Sequence, residues 1–192
     1  MTLACATKTE QRAARKTGAR TVLVGIGARH LPDEQVVSFG LAGGLHDGLA
    51  CGDVLDATRV VDADGTVLWE GAPLGIQGAR TGTIVAVDAV VDDPGERRRL
   101  HERTGADAAD MESGALARAG RLAGCLRAVS DTPGRTLGPL GEVLDTDGRL
   151  RPAGIARALA RPRRTGRALG DIRLALHSLQ QVVTRPASGV SS

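Results

Sequence analysis

Residues 36–45 read VVSFGLAGGL, an apolar run that passes without a break into glycines. Val36 and Val37 favour a strand buried on both faces of a sheet. The glycines that follow predict a turn where the backbone comes close to a ligand, since successive free N–H groups bind an anion or a sugar hydroxyl. A tight strand-to-helix turn without a binding role is equally consistent with these residues. The stretch therefore predicts a buried strand whose carboxyl end is a candidate binding site.

Short apolar runs also lie on both sides of this stretch, and helical patterns alternate with them. These runs cover residues 2–6, 21–25, 53–61, 83–91 and 125–130. Several of them are continuous rather than alternating, as in strands buried on both faces of a sheet. Residues 95–104 and 111–122 have the spacing of helices. Strands and helices that take turns along the chain predict an α/β layer fold with a largely parallel sheet.

The chain is predicted to form a single domain over residues 1–183, because its 192 residues suffice for one well-buried core. Residues 132–151 are rich in Gly, Pro and Asp and predict a long irregular connection. Residues 163–183 predict a basic amphipathic helix, and residues 184–192 a disordered tail. The apolar stripe of this helix would consist of Leu169, Ile172, Leu176, Leu179 and Val183.

Composition excludes several classes of protein. Phe39 and Trp69 are the only aromatic residues, which argues against a nucleic-acid module that stacks bases on several rings. No run approaches the ~18 apolar residues of a membrane-spanning helix. Cys5, Cys51 and Cys125 are odd in number and predict reduced thiols in a cytoplasmic protein, and no leader pattern precedes Cys5.

Two further segments place acids beside candidate binding features. In ADMES (residues 109–113), Asp110 and Glu112 flank Met111 at a predicted helix start. An acid there can simply stabilise the helix dipole, but Glu112 can also accept hydrogen bonds from two ribose hydroxyls while Met111 covers the sugar. In LRAVSDT (residues 126–132), Asp131 ends a buried strand, where α/β sheets bind ligands, although it could equally cap the next segment.

Together, the three segments resemble the purine nucleoside phosphorylase superfamily, which includes the methylthioadenosine nucleosidases. The shared features are an AGG turn, the pair Gly52-Asp53, a Met-Glu helix start and a Ser-Asp strand end, in that order. Within the superfamily, the chain is most similar to the hopanoid-associated phosphorylase branch. The segments that carry this similarity are SFGLAGGL, CGDVLDATRVV, TGADAADMES and LRAVSD. The resemblance covers residues 2–178.

This resemblance implies both a fold and a reaction. The fold would be a three-layer αβα sandwich around a mixed, largely parallel sheet, shortened in this chain. The reaction would be cleavage of the N-glycosidic bond of a 5′-substituted adenosine, adenosylhopane in hopanoid biosynthesis, with release of adenine. No cofactor is implied, and inorganic phosphate is the alternative co-substrate to water.

The resemblance also assigns roles to individual residues. Asp131 would protonate, or hydrogen-bond to, the departing purine, which a carboxylic acid does near neutrality only where burial raises its pKa. Ser130 would orient Asp131. Met111 and Glu112 would hold the ribose, with Asp110 assisting.

The nucleophile would lie at the other end of the site. Glu10 follows the first strand, as does the glutamate that activates water in the family's hydrolases, although an exposed acid at a helix start is the alternative. Backbone groups of Leu41, Ala42 and Gly43 would line the water or phosphate site.

Two departures from the family pattern leave other functions open. Val90, beside Val91, stands where family members often place an aromatic ring that stacks on the purine. Residues 28–35, and those between Glu70 and Thr83, are too short or too irregular for the usual helices. We therefore expect either oligomerisation that covers exposed sheet surface or reduced stability, and a catalytically weakened or inactive nucleoside-binding paralogue is the alternative to an enzyme.

The net charge of +3 is unevenly distributed. From Arg149 to the end there are nine arginines and one acid, so the tail is strongly basic and the body mildly acidic. The basic helix could pack on the body, or it could dock on anionic lipid at the cytoplasmic membrane face, where a hopanoid substrate would lie; a peripheral membrane scaffold is a further alternative. No nucleic-acid partner is predicted.

No metal site is predicted, because the four histidines lack ligand spacing. They are His30, His46, His101 and His177. His46, which follows the glycine-rich stretch directly, is the one expected to lie near the site.

Overall fold

A computed structural model of the chain describes residues 1–138, 140, 143 and 152–184. Within this part the chain forms eight strands and five helices. The strands are β1 (Thr2–Cys5), β2 (Arg20–Leu23), β3 (Val36–Gly44), β4 (Val54–Val61), β5 (Val67–Glu70), β6 (Arg80–Ala86), β7 (Ala108–Asp110) and β8 (Leu122–Asp131). The helices are α1 (Lys8–Arg15), α2 (Pro94–Thr104), α3 (Ser113–Arg118), α4 (Pro152–Ala160) and α5 (Pro162–Thr184).

All eight strands join one mixed sheet. Their order is β2-β1-β3-β7-β6-β4-β5, and β8 pairs with both β3 and β4. This double pairing closes β3, β7, β6, β4 and β8 into a ring. Five of the strand pairings are parallel, and three, namely β3–β7, β4–β5 and β4–β8, are antiparallel. The predicted mixed, largely parallel sheet is therefore confirmed, while its closure was not predicted.

Helices cover both faces of the sheet. Along β1, Leu3 and Cys5 join an apolar cluster with α1 and α5, whereas Ala4 between them joins a second cluster with α3. This alternation follows from the two-residue period of a strand. The layered arrangement agrees with the α/β fold class predicted from the alternation of elements.

The predicted glycine turn at residues 38–45 is wrong, because β3 continues to Gly44. It pairs with β8 along its length, with a register shift between Ala42 and Gly43. The glycines are needed for space instead. A Cβ at Gly40 would lie 2.5 Å from Oε1 of Glu10, and a Cβ at Gly43 would lie 3.2 Å from Oδ2 of Asp131. Because glycine has no side chain, Gly40 and Gly43 leave room for the carboxylates of Glu10 and Asp131.

Two element boundaries near these carboxylates also differ from the prediction. β6 ends at Ala86 rather than at residue 91, so residues 87–91 form a connecting segment. Residues 109–110 do not open a helix but end β7, and α3 begins only at Ser113. α3 ends early because Gly120 takes the left-handed φ of 66° and Leu122 already starts β8.

The basic helix is present as α5, with one correction to its stripe. Leu176 and Leu179 are buried as predicted, but Leu169 is 44% exposed. The buried face runs instead through Ala168, Ala175 and Val182. No described helix is long and apolar enough to cross a bilayer.

The remaining predictions concern connections and the tail. Residues 28–35 and 71–79 hold no helix, as predicted, whereas α1, α4 and β5 were not predicted. Thr184 belongs to α5 rather than to the tail. Residues 185–192 and most of 132–151 lie outside the described residues, so the disordered tail and the irregular connection stay predictions. The three cysteines are free.

Candidate active site

A cavity of about 180 Å³ opens where the carboxyl ends of β1, β3, β6, β7 and β8 come together. Every residue that the sequence assigned to the site lines it. These are Glu10, Leu41, Ala42, Gly43, Val90, Val91, Asp110, Met111, Glu112, Ser130 and Asp131. The acids at the end of β7 and at the end of β8 therefore face one pocket, beside the glycine-containing end of β3.

Glu10 is a buried carboxylate held by three hydrogen bonds. Thr7 caps α1, and Oε2 of Glu10 accepts hydrogen bonds from the Thr7 backbone N–H at 2.8 Å and from Thr7 Oγ1 at 2.9 Å. Oε1 accepts one from the Leu41 N–H at 3.1 Å. Glu10 is only 6% exposed, so it is not the solvent-exposed acid that was the alternative. A carboxylate accepts about four hydrogen bonds, which leaves capacity for a water molecule.

Behind the cavity, Arg127 of β8 contacts both Asp110 and Glu112. Its Nε donates to Oδ2 of Asp110 at 2.7 Å, and Nη2 donates to the same oxygen and to Oγ of Ser38 at 2.6 Å. Nη2 also lies 3.7 Å from Oε2 of Glu112. Asp110 in turn accepts a hydrogen bond from Oγ of Ser113 at 2.5 Å. Arg127 and Asp110 form a buried ion pair that fixes the first residues after β7.

Glu112 is the titratable group of this cluster whose protonation is most altered. Burial, with the charges of Asp110 and Glu10 adding to it and that of Arg127 opposing it, raises its pKa from 4.5 to about 8. Its Oε1 accepts a hydrogen bond from the Gly27 N–H at 3.2 Å. A pKa of about 8 favours the protonated form of Glu112 at neutral pH. It can then donate to one hydroxyl of a ligand and accept from another.

Asp131, at the end of β8, is half of a buried ion pair. Oδ2 of Asp131 accepts a hydrogen bond from Nη2 of Arg97, and Oδ1 accepts one from Oγ of Ser130 at 2.6 Å. Asp92 lies near the same guanidinium nitrogen, with its Oδ1 3.7 Å from Nη2 of Arg97. Burial raises the pKa of Asp92, Arg97 opposes that shift and Asp131 adds to it. The ion pair favours Asp131 as a hydrogen-bond acceptor over the proton donor that the sequence analysis also allowed.

The segment after β6 lines the cavity with small apolar side chains. Val90 is 46% exposed, and Val91 follows it. No aromatic residue of the described part lines this pocket. A base bound here would meet apolar contact without a stacking ring.

His46 does not line the cavity, contrary to expectation. Its Nε2 lies 3.1 Å from Oδ1 of Asp107, and its ring packs 4.6 Å from that of His101. Within the described ranges, no three Cys, His, Asp or Glu side chains are grouped as metal ligands would be.

A family model described as the phosphorylase superfamily matches residues 74–153. The 5′-methylthioadenosine/S-adenosylhomocysteine nucleosidase of Helicobacter pylori superposes with a TM-score of 0.59 at 16% identity, over 95% of this chain and 96% of that one. The chain has the nucleoside phosphorylase fold.

Other solved structures agree on the fold. The Neisseria meningitidis 5′-methylthioadenosine/S-adenosylhomocysteine nucleosidase is 20% identical, with a TM-score of 0.58 over 95% of this chain and 97% of that one. The futalosine hydrolase of Helicobacter pylori is 14% identical, with a TM-score of 0.58 over 95% and 96% of the two chains. Among curated protein sequences, none matches significantly.

Within this nucleoside phosphorylase fold, sequence reasoning missed the two buried arginines. Arg127 carried a usable signal, because a charged residue inside the apolar strand LRAVSD must find a buried partner. Arg97 carried none, since it is the first of three consecutive arginines that resemble a solvated helix face. Only Arg97 of these three is buried, at 1% exposure.

Proposed function

We propose that this protein cleaves the N-glycosidic bond of a 5′-substituted adenosine and releases adenine. The observation that carries the proposal is the convergence of Asp131, Glu112 and Glu10 on one cavity. Solved structures with this fold include proteins named as nucleosidases and as a futalosine hydrolase, and this supports the reaction class.

The two walls of the cavity suit the two halves of a nucleoside. Asp131 would accept hydrogen bonds from the exocyclic amino group of adenine and from its N7 once protonated. Glu112 would bind the ribose hydroxyls while Met111 covers the apolar face of the sugar. Hydrogen bonds that the ribose hydroxyls donate to Glu112 strengthen as positive charge develops on the sugar, so they stabilise the transition state more than the substrate.

Water is the nucleophile that we propose. Its oxygen bonds to C1′ as the bond from C1′ to the purine nitrogen breaks, Glu10 takes the proton that water loses, and the purine gains a proton from solvent. Arg97 is the sole arginine lining the cavity in the described part of the chain, and it is bound to Asp131. It is therefore not free to bind phosphate, which favours hydrolysis over phosphorolysis.

Turnover by the purified protein tests this proposal. Adenine release would be measured from adenosine, 5′-methylthioadenosine and adenosylhopane, with and without phosphate. We expect release without phosphate, and loss of release in Asp131→Asn with the fold intact. Asp64→Asn, at an exposed turn outside the cavity, is the matched control and should behave as wild type. Nucleoside binding without any release would instead support the non-catalytic paralogue.

We propose adenosylhopane as the substrate and anionic lipid as the surface on which the protein reaches it. The support beyond the sequence resemblance is a cationic patch on the exposed side of α5 and the turn before it. Its exposed arginines form no ion pair with any described residue, and they are Arg161, Arg163, Arg164, Arg167 and Arg173. Leu159, at 75% exposure, and Leu169 add apolar surface beside them.

Vesicle co-sedimentation tests the lipid contact separately from turnover. Each basic residue near an anionic surface contributes roughly 1 kcal/mol, so the triple variant Arg163→Glu/Arg164→Glu/Arg167→Glu should abolish sedimentation with anionic vesicles. Arg98→Glu/Arg99→Glu reverses exposed charge on α2 instead and should retain most of it. Equal sedimentation with neutral and anionic vesicles, or indifference to high salt, would exclude the lipid proposal.

A further inference from the structure

We propose that Arg97 is a positioning residue of the base subsite, which holds Asp131 as a fixed hydrogen-bond acceptor for the leaving purine; this rests on the proposed function. Arg97 lies in the first turn of α2, whereas Asp131 ends β8. Its side chain is 1% exposed although it lines the cavity. A buried guanidinium is costly to desolvate unless it is paired and hydrogen-bonded, so its partners define its role.

The guanidinium is fixed by two backbone carbonyls before it reaches Asp131. Nε donates to the Val91 carbonyl at 2.7 Å, and Nη1 donates to the Gly44 carbonyl at 3.0 Å. These carbonyls belong to the segment after β6 and to the end of β3. Because a planar group bound at two such points cannot rotate, Nη2 is held in place against Oδ2 of Asp131.

Asp131 is fixed from the other side by its neighbour. Oγ of Ser130 donates to Oδ1 at 2.6 Å, so each carboxylate oxygen already has one donor. The remaining lone pairs are those available to a ligand. Gly43 makes the arrangement possible, since a Cβ there would lie 3.2 Å from Oδ2 of Asp131 and 3.5 Å from Nη1 of Arg97.

Asp92 links the same guanidinium to the rim of the cavity. Its Oδ1 lies 3.7 Å from Nη2 of Arg97 and accepts a hydrogen bond from the Leu137 N–H at 3.0 Å. Leu137 itself lines the cavity. Arg97 therefore couples the carboxylate at the base subsite to the segment that follows β8.

Substrates with different leaving groups distinguish a purely structural arginine from a positioning arginine. The quantity compared is the loss of turnover that replacing the arginine causes with each substrate. An unprotonated purine is a poor leaving group, so its departure needs protonation at N7 and the Asp131 contact, whereas the phenolate of 4-nitrophenyl β-D-ribofuranoside leaves without help. If Arg97 acts through Asp131, removing it should slow purine departure selectively. If it only maintains the fold, both substrates should suffer alike.

The test compares Arg97→Met with wild type on 5′-methylthioadenosine and on the nitrophenyl riboside. We expect kcat for the nucleoside to fall about 100-fold or more, the size of a lost proton-transfer or leaving-group contact, with KM changed much less. Turnover of the nitrophenyl riboside should stay within about threefold of wild type, well below that loss. Arg97→Lys, which keeps the charge, should restore part of the nucleoside activity.

A double variant keeps the test decisive if Arg97→Met folds poorly. Arg97→Met/Asp131→Asn leaves no unpaired buried charge, and it should cleave the nitrophenyl riboside no more slowly than Asp131→Asn alone, because both changes remove the same contact. Additive losses, or equal losses on both substrates in an active wild-type background, would overturn this inference and leave the proposed function standing. A wild-type protein that cleaves neither substrate would overturn both.

Discussion

Gly40→Ala perturbs the candidate nucleophile site with one added carbon atom. Gly40 lies inside β3, and its φ is not in the left-handed region, so its backbone accepts alanine without strain. The added Cβ, however, would lie 2.5 Å from Oε1 of Glu10 and 3.1 Å from its Cδ. The effect of the substitution is therefore a contact with one carboxylate.

The size of the effect follows from how firmly that carboxylate is held. Ordinary contact begins near 3.4 Å, so Oε1 must retreat by about 0.9 Å. The carboxylate cannot retreat freely, because its hydrogen bond from the Leu41 N–H at 3.1 Å would be lost. A backbone N–H left without a partner costs about 1–3 kcal/mol. A displacement near 1 Å at a reacting group costs about 100-fold in rate.

Adenine release and thermal unfolding measure the two consequences separately. We expect kcat/KM to fall by about 100-fold while the fold is retained at slightly lower stability. Gly166→Ala is the matched control: it lies in α5, its Cβ would meet nothing within 4 Å, and it should be active and more stable by about 0.5–1 kcal/mol. Full activity in Gly40→Ala would show that Glu10 has no part in the reaction.

Further predictions concern the acids, the base contact and the buried arginine. Because the folded-state pKa of Glu112 is raised to about 8, its contribution to stability is complete below about pH 4.5 and is lost as the pH rises through 8, at up to about 1.4 kcal/mol per unit. The urea midpoint should fall between pH 5 and pH 8 in wild type and not in Glu112→Gln. An equal change of the midpoint with pH in the two proteins would contradict this prediction. Val90→Phe should lower the Kd for adenine by about 3–10-fold in calorimetry, since a stacked ring contributes about 0.5–1.5 kcal/mol, and unchanged affinity would place the base elsewhere. Arg127→Met should destabilise the fold by about 3–5 kcal/mol in denaturant unfolding by leaving Asp110 unpaired, whereas a loss below 1 kcal/mol would refute the buried pair.

Much of the fold could be predicted from the sequence because its strands are short, continuous apolar runs. The Val36-Val37 run identified the central strand, and the alternation of such runs with helical patterns indicated the α/β class. Asp131 could be placed at a ligand-binding edge because it ends a buried strand. These inferences need only local sequence.

What could not be predicted depends on contacts between distant segments. The glycines of β3 were interpreted as a turn, because nothing local shows that Glu10 and Asp131 occupy the space beside Gly40 and Gly43. The ring closure depends on β8 pairing with two strands at once. The burial of Arg97 likewise depends on the carbonyl of Gly44, which lies far away in sequence.

We propose that one nucleoside spans the cavity, with its base at Asp131 and its ribose at Glu112. A crystal structure with a non-hydrolysable 5′-substituted adenosine analogue would show this placement. We expect the exocyclic amino group within hydrogen-bonding distance of the Asp131 carboxylate, and the ribose hydroxyls at Glu112 beneath Met111. An analogue bound outside this cavity, or bound with its base at Glu112 and its sugar at Asp131, would contradict it.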